Sequence, residues 1–339
     1  MRIKLNTPCA LNEIGGRDNS EDSIFPEKDK ATADNWFFLV CDGVGGHQQG
    51  EVASRAVCDG FAAFLEDKKP EDFDRAIFQK ALEYAFERLN QADTGNSADG
   101  VGGKMGTTLT FAGFHPRGAL LAHIGDSRVY HLRKQGGHTG ILYKSRDHSL
   151  VNDLIRANII TAEEAANHSK KNVLTRVMQA HQEKQAEAEI YETAAVAPGD
   201  YFFLCTDGVL EAVGDELLCD IMGREGSDPS KIAAINDICR ERSRDNFSAY
   251  LIPVAEVIHE TGEETGESAH GNTGVPSEIK RTARRAVSTF DPAASSAKSA
   301  APRCGTKLAR KIIINKKRLV IGAVICALLL VGLGILFCR

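Results

Sequence analysis

Two stretches of this chain share one pattern: residues 37–47, FFLVCDGVGGH, and residues 201–209, YFFLCTDGV. In each stretch a short apolar run, which predicts a buried strand, ends at an aspartate followed by glycine. A single Asp-Gly pair after a strand is usually only a turn, because glycine tolerates positive φ and aspartate bonds its own backbone. Two near-copies in one chain indicate a shared role for Asp42 and Asp207.

Further acidic segments accompany these two aspartates. Glu21 and Asp22 lie together near the N-terminal end, Asp126 lies in a Gly-Asp-Ser-Arg turn, and Asp245 directly precedes a predicted strand. Carboxylates gathered at one end of a sheet repel one another and raise each other's pKa, and a divalent cation relieves that repulsion. Because the candidate donors are oxygens without clustered His or Cys, the pattern predicts Mg²⁺ or Mn²⁺ rather than zinc.

The order of apolar and amphipathic segments predicts the fold class. Several predicted strands follow one another without helices between them, which favours an α+β fold with antiparallel sheets over a regular βαβ alternation. The folded body is expected to cover residues 1–255. The predicted strands are residues 36–41, 107–114, 119–124, 128–132, 201–205 and 247–254, and the predicted helices are residues 51–66, 75–89 and 229–242.

Composition separates an acidic body from a basic and apolar end. The 339 residues carry a formal net charge of −5, which excludes a generally basic nucleic-acid-binding protein. Residues 256–302 are dominated by Gly, Ser, Thr, Glu, Ala and Pro without a hydrophobic period, which predicts a flexible low-complexity linker. Residues 303–318 hold seven Lys and Arg and no acidic residue, which is typical of a basic juxtamembrane stalk.

The last apolar segment, residues 319–338, is LVIGAVICALLLVGLGILFC and contains no charge. As a helix it would cover about 30 Å, the hydrocarbon thickness of a bilayer, so we predict a single C-terminal transmembrane helix. The alternative is a buried helix packed in the folded body. Because the Lys and Arg residues precede the run, the positive-inside rule places the N-terminal body on the cytoplasmic side.

The acidic turns belong to a longer series of motifs that resembles the metal-dependent, type 2C (PPM) serine/threonine protein phosphatases, in particular their compact bacterial branch. The resemblance spans about residues 10–252. Each motif alone is weakly specific, whereas nine motifs in the family's order are highly specific. The family fold is a central sandwich of two antiparallel β-sheets flanked by helices. The motifs are Gly16-Arg17-x-x-Ser20-Glu21-Asp22, Val40-Cys41-Asp42-Gly43-Val44-Gly45-Gly46-His47, Gly106-Thr107-Thr108, Gly125-Asp126-Ser127-Arg128, Asp147-His148-Ser149, Leu174-Thr175-Arg176, Pro198-Gly199-Asp200, Cys205-Thr206-Asp207-Gly208 and Asp245-Asn246.

The resemblance also implies metal-binding roles for individual residues. Asp42 would bridge two metal ions, and the Gly43 carbonyl would be a ligand of the second ion. Asp207 and Asp245 would hold the first ion. A glycine after Asp42 suits this role, because it lets the backbone approach a metal closely.

Other roles implied by the resemblance surround these ligands. Glu21 would act through a metal-bound water, and Asp22 would support the site nearby. Asp126 would be a ligand of the weaker third ion found in bacterial members, shared with Asp207. Arg17 would clamp the phosphate through its guanidinium, while a hydroxide bridging the two ions attacks phosphorus in line.

The sequence departs from the family pattern at a few positions. Ser20 stands where the family usually has Asn, and Ser248 replaces the common Thr after Asp-Asn. Eukaryotic members place a general-acid His directly after the metal-binding Asp-Gly, whereas this chain has Val44. The leaving-group proton would then come from a metal-bound water or from His47, and His47 as a purely structural residue is the other alternative. Residues 149–177 correspond to the family's flap and are expected to be helical.

Together these features predict a membrane-anchored, Mg²⁺- or Mn²⁺-dependent serine/threonine protein phosphatase. Its partners would be phosphorylated Ser/Thr proteins, expected to be substrates of a cognate Ser/Thr kinase, and the membrane, but not nucleic acid. Two alternatives remain open: a catalytically dead, membrane-anchored adaptor that binds phosphoproteins, and a phosphatase that acts on small phosphorylated molecules.

Overall fold

The computed structural model describes residues 1–45, 48–94 and 105–259. These residues lie within one compact unit, Met1–Thr265. His47, the predicted linker beyond residue 259, the basic stalk and the predicted membrane span at 319–338 lie outside the described residues. Within the described ranges, no helix has the length and apolar character needed to cross a bilayer.

Thirteen strands and seven α-helices make up this unit, counted over the described residues. The strands are β1 (Arg2–Leu5), β2 (Cys9–Glu13), β3 (Asp22–Phe25), β4 (Phe37–Val44), β5 (Gly106–Thr107), β6 (Leu109–His115), β7 (Gly118–Ile124), β8 (Arg128–Gln135), β9 (His138–Lys144), β10 (Met178–Gln179), β11 (Glu189–Thr193), β12 (Asp200–Cys205) and β13 (Phe247–Ile258). The helices are α1 (Gln48–Leu65), α2 (Arg75–Ala92), α3 (Leu150–Arg156), α4 (Ala162–Ala166), α5 (Asp207–Ala212), α6 (Asp215–Gly223) and α7 (Asp228–Arg242).

The strands form two antiparallel sheets. The first sheet has the order β1-β13-β12-β8-β9, with β2 also paired to β13. The second has the order β10-β5-β4-β6-β7-β11, with β3 also paired to β4. All strand pairs described are antiparallel, as the succession of strands in the sequence predicts.

The apolar run of β4 explains how the layers stack. Phe38 and Val40 face the interior between the two sheets, where they pack with Tyr250 of β13. Phe37 and Leu39 face the opposite way and pack under α1 and α2. A strand buried on both faces needs such a continuous apolar run rather than alternation. With α5, α6 and α7 covering the outer face of the first sheet, the fold is the predicted helix–sheet–sheet–helix sandwich.

Several element boundaries differ from the predictions. β4 continues past Cys41 to Val44, so Asp42 lies inside the strand rather than after it. The predicted strand at 107–114 is divided into β5 and β6. β13 continues past residue 255 to Ile258, because Arg2 of β1 pairs with Ile258 there. The first residues of the predicted linker, 256–258, therefore form strand.

The flap region contains two short helices, as the sequence predicts, each with an identifiable N-cap. Ser149 accepts a hydrogen bond from Asn152 N before α3. Thr161 and Glu164 form a capping box before α4, each side chain bonding the other residue's backbone N–H. The flap begins next to Gly125, whose carbonyl accepts a hydrogen bond from His148 N. It is thus attached to the Gly125–Asp126 turn.

Candidate active site

Asp22 and Asp42 lie directly opposite each other on β3 and β4. Asp22 is buried and accepts a hydrogen bond from the Thr206 hydroxyl at 3.0 Å. Burial, aided by the charges of Asp207 and Asp245, raises the pKa of Asp22 from 3.8 to about 7. Strand pairing therefore forces together two carboxylates that would separate if they were free to move.

The backbone of Asp42 is fixed by two threonines, Thr107 at the end of β5 and Thr108 between β5 and β6. Asp42 N donates to Thr108 Oγ1 at 3.0 Å, and the Asp42 carbonyl accepts from Thr107 Oγ1 and from Thr108 N, both at 2.8 Å. Thr108 Oγ1 is in turn 2.7 Å from Ser127 Oγ, beside Asp126. The position of Asp42 is thus set by its backbone rather than by its side chain.

Close backbone approach explains the glycine that follows Asp42. A Cβ on Gly43 would lie 2.1 Å from the carbonyl oxygen of Gly50 in α1 and 2.7 Å from that of Glu21. A Cβ on Gly50 would lie 2.8 Å from the Glu21 carboxylate carbon. The first turn of α1 therefore rests directly on β4 and on Glu21, which only glycines permit.

Asp207 and Asp245 complete the acidic cluster from the first sheet. Asp207 begins α5, and its pKa is raised by burial and next by the charge of Asp245. A Cβ on Gly208 would lie only 1.9 Å from the Asn246 carbonyl oxygen, so this turn is as tightly packed as the first. Arg17 Nη2 donates to Asp245 Oδ2 at 2.5 Å, which brings the predicted phosphate clamp to a predicted metal ligand.

The electrostatics identify the cluster as one unit. The pKa of Asp42 is raised well above its usual value by burial and by Asp22, Asp207 and Asp126. The pKa of Asp126 is raised to about 7 by burial, then by Asp207 and Asp147. The structure therefore brings the predicted carboxylates close enough to oppose each other's ionisation. An oxygen-only donor set of this charge fits Mg²⁺ or Mn²⁺.

Asn246 has a role that the sequence analysis did not assign. Its Oδ1 accepts from Glu21 N at 2.7 Å, and its Nδ2 donates to the carbonyls of Ile14 at 2.7 Å and Asn19 at 2.9 Å. This one side chain holds the segment that carries Arg17 and Glu21 against β13. The sequence feature that could have indicated this role is the position of Asn246 directly after Asp245 in the Asp245-Asn246 motif.

Thr206 was also missed as a functional residue. Its hydroxyl donates to Asp22 and accepts from Ser248 N at 3.0 Å, which joins β3 to the first sheet. Thr107 and Thr108 support Asp42 in the same way. All three threonines appear in the quoted motifs, but a hydroxyl beside an apolar strand carries no sequence signal that names its partner.

A second group of potential metal ligands occurs in the described part of the chain, where His123, His148 and Glu189 have ligand atoms within 4.8 Å of one another. The two imidazole rings are stacked, with centroids 4.4 Å apart and planes 9° apart. The lone pair of an imidazole nitrogen lies in the plane of its ring. Because the two planes are stacked and nearly parallel, one ion cannot lie along the lone pairs of both histidines. Arg176 Nη1 is also 3.2 Å from His148 Nε2, and burial lowers the pKa of His148 to about 3. This group is therefore a structural contact between flap and sheet.

Comparison with known proteins gives a consistent result. The chain matches the family model described as Protein phosphatase 2C over residues 16–235. It is 31% identical over 261 residues to a putative protein phosphatase 2C-type of Streptococcus pyogenes serotype M6, covering 74% of this chain and 97% of that protein. The crystal structure of the Mycobacterium tuberculosis serine/threonine phosphatase PstP/Ppp matches with a TM-score of 0.62 and 25% identity, over 75% of this chain and 100% of that one. The PstP catalytic domain in complex with two manganese ions matches with a TM-score of 0.60 and 26% identity, over the same shares.

The matched family model and relatives show that this four-layer sandwich, with its carboxylate cluster at the edge of both sheets, is a hydrolase. The chain belongs to the protein phosphatase 2C family, and it is a serine/threonine protein phosphatase of the bacterial type. The predicted family, sheet architecture and enzyme class are thus confirmed. The use of Mg²⁺ or Mn²⁺ is a property of the family, while the third ion stays a prediction.

Proposed function

We propose that this phosphatase hydrolyses phosphoserine and phosphothreonine monoesters on proteins at a two-metal centre held by Asp42, the Gly43 carbonyl, Asp207 and Asp245. The observation that carries the proposal is the mutual elevation of carboxylate pKa values across β3, β4 and the start of α5. Acidic groups held this close repel one another strongly, and a bound divalent cation would relieve that repulsion.

Divalent cations held by these residues would supply Lewis-acid activation of the attacking water and neutralisation of charge on the phosphate. The protein itself holds the site residues in position. Thr107 and Thr108 fix the backbone of Asp42, and Thr206 orients Asp22, which supports the site without being an assigned ligand. Glu21 lies over Gly50 at the start of α1, where we assign it to ordering a water.

Arg17 is proposed to bind the substrate phosphate. Its side chain is half exposed at the rim of the cluster and pairs with Asp245, so it can reach a phosphate at the metal edge. A guanidinium matches two phosphate oxygens bidentately. Asp126, whose pKa the charge of Asp207 helps to raise, is the proposed ligand of a weaker third ion.

The test combines metal binding with turnover. The wild type should bind about two Mn²⁺ per chain in a calorimetric titration and hydrolyse a phosphothreonine peptide only when Mn²⁺ or Mg²⁺ is present. Asp207→Asn should lose binding of at least one ion. Asp220→Asn, an exposed aspartate paired with Arg224, is the matched control and should change neither property. Peptide turnover in EDTA equal to that in Mn²⁺ would refute the two-metal centre.

We also propose that the chain is anchored in a membrane through residues 319–338, with the phosphatase domain on the cytoplasmic side and acting on substrates of a cognate kinase. Support comes from the uncharged apolar run and from the seven Lys and Arg residues at 303–318. The full chain should sediment with membranes, whereas a chain ending at Thr265 should remain in the supernatant with unchanged peptide turnover. A soluble full-length protein, or an inactive shortened one, would contradict the anchor.

A further inference from the structure

A cavity of about 770 Å³ lies between α1 and the segment that runs from β3 to β4. Asp22, a member of the acidic cluster, and Ser20 are among its lining residues. The helix supplies one wall, and the other wall includes Phe25 at the end of β3 and Trp36 just before β4. We call this space the α1 groove and define it by Phe25, Trp36, Glu51, Arg55, Asp59 and Glu66.

The groove is fixed to the catalytic edge by Ser54. The Ser54 hydroxyl donates to the Glu21 carbonyl at 2.6 Å and lies 2.9 Å from the Ser23 hydroxyl. This contact locks the first turns of α1 to β3. Glu51 and Arg55, which flank Ser54 in the helix, therefore begin the groove wall beside the metal-binding edge.

The length of the groove suits an extended peptide. Its helical wall runs from Glu51 to Glu66, which at about 1.5 Å per residue spans roughly 22 Å. An extended chain covers about 3.3 Å per residue, so roughly six or seven residues fit alongside. A phosphorylated residue at the cluster would thus have one flanking segment lying in the groove.

The charges of the groove are unbalanced. Exposed carboxylates line it at five positions: Glu27, Asp34, Glu51, Asp59 and Glu66. Cations line it at three positions, and Lys28 is already paired with Glu13 at 2.6 Å. Because the opposing wall contains the aromatic rings of Phe25 and Trp36, the groove offers both negative charge and apolar surface.

We propose that the α1 groove binds the segment of the phosphoprotein substrate next to the phosphorylated residue, and that it selects segments carrying Lys or Arg together with apolar side chains. This inference rests on the proposed function for its catalytic end. Long basic side chains suit such a surface, because their methylene stems pack on aromatic rings while their charged ends reach carboxylates.

Binding can be measured without turnover, because Trp36 is the chain's one tryptophan. The full-length protein in detergent and EDTA is titrated with two phosphothreonine peptides that lack tryptophan, one flanked by Lys and Leu and one by Glu and Leu. We expect the Lys peptide to change Trp36 emission with a Kd at least about fivefold lower than that of the Glu peptide. Raising the salt concentration should narrow this difference, since exposed ion pairs are screened.

Turnover then tests whether the groove charges cause the preference. The double variant Asp59→Lys/Glu66→Lys should lower the kcat/KM ratio of Lys over Glu peptide at least about fivefold, mainly through KM. Turnover of p-nitrophenyl phosphate, which has no flanking segment, should stay within about twofold of wild type. Glu87→Lys, an equal charge reversal on the exposed face of α2 outside the groove, should keep the full preference.

The failures of the two proposals are distinguishable. Equal Kd values for both peptides in the wild type, or an unchanged preference in the double variant, would overturn the groove assignment while metal-dependent turnover persisted. Loss of metal dependence in the wild type, with the Trp36 response to the Lys peptide intact, would overturn the two-metal centre and still support the groove.

Discussion

The two strand–Asp–Gly segments have the same sequence pattern but different backbones. In the first, β4 runs through Asp42, because β3 pairs with it on one side and β5 continues the pairing at Gly43. In the second, β12 ends at Cys205 and Asp207 begins a helix. Both glycines are nevertheless packed against a backbone carbonyl, at 2.1 Å and 1.9 Å from a virtual Cβ.

This comparison shows that the motif specifies close packing around an aspartate and not one backbone conformation. Neighbouring strands keep Asp42 extended, whereas β12 is paired with β8 and β13 only as far as Cys205, and the chain turns into α5 at Asp207. The first half presents Asp42 between two strands, and the second presents Asp207 at a helix start. Substitutions at matched positions can show whether the two halves are equivalent in chemistry and in packing.

The largest expected effect is on turnover. Asp42→Asn and Asp207→Asn should each lower kcat/KM for a phosphothreonine peptide at least about a hundredfold at saturating Mn²⁺, because each removes charge that stabilises bound cations. Circular dichroism should show intact folds, since the cluster carboxylates repel one another. If one variant retains activity within about threefold of wild type, the two halves are not equivalent ligands.

The packing around the two glycines is tested by adding one methyl group at each of them. Gly43→Ala and Gly208→Ala should each destabilise the fold by about 3 kcal/mol or more, because the new Cβ overlaps a backbone oxygen that cannot rotate away. Urea unfolding measures the change. Gly140→Ala in β9 is the control, since its Cβ would meet no atom within 4 Å. A loss of stability at only one of the two glycines would show that the backbone around the other can shift to make room for the methyl group.

The pH dependence of stability tests the raised carboxylate pKa values, and the Asp22→Asn variant measures the share that Asp22 contributes. Below about pH 4 its carboxyl is protonated in both folded and unfolded chains. As pH rises towards the folded pKa of about 7, the unfolded chain releases its proton first, so stability in EDTA should fall between about pH 4 and 7. Thermal unfolding should show a Tm loss of several degrees over this range, reduced in Asp22→Asn and by Mn²⁺. A Tm that rises over the same range would contradict the raised pKa.

The smallest expected effect is on the KM for the phosphorylated substrate. Arg17→Ala should raise KM about tenfold with a smaller change in kcat, since a clamp binds phosphate in ground and transition states alike. Steady-state kinetics on one peptide measures both constants. In Arg17→Lys the KM should lie between those of Arg17→Ala and the wild type. A kcat loss at unchanged KM would instead assign Arg17 to positioning Asp245, its partner in the structure.

Much of the fold could be predicted because its strands are long, apolar and consecutive. The elements that were missed include β1, β2 and β3, which are four or five residues long and depend on pairing with distant strands. Helix α5 was also missed, because it is six residues long and starts at an aspartate that the sequence analysis placed in a turn. Tertiary pairing decides such segments, and local sequence does not contain it.

The acidic site residues were predictable because carboxylates after apolar strands are unusual and recur in a fixed order. Their supporting residues were not. Thr206 and Asn246 act through hydrogen bonds to segments nearly two hundred residues or more away, and the partner of a hydroxyl or amide is set only by the folded chain. Charge leaves a pattern in sequence, whereas hydrogen-bond geometry does not.

The position of Asn246 has a consequence for protein synthesis. The carbonyls and N–H that its side chain binds belong to residues 14–21, which are synthesised more than two hundred residues before Asn246. Its neighbour Asp245 pairs with Arg17 across the same interval. A nascent chain consequently cannot fix the segment that carries Arg17 and Glu21 until Asp245 and Asn246 have been translated. We therefore expect no phosphatase activity from a partial chain that ends before β13.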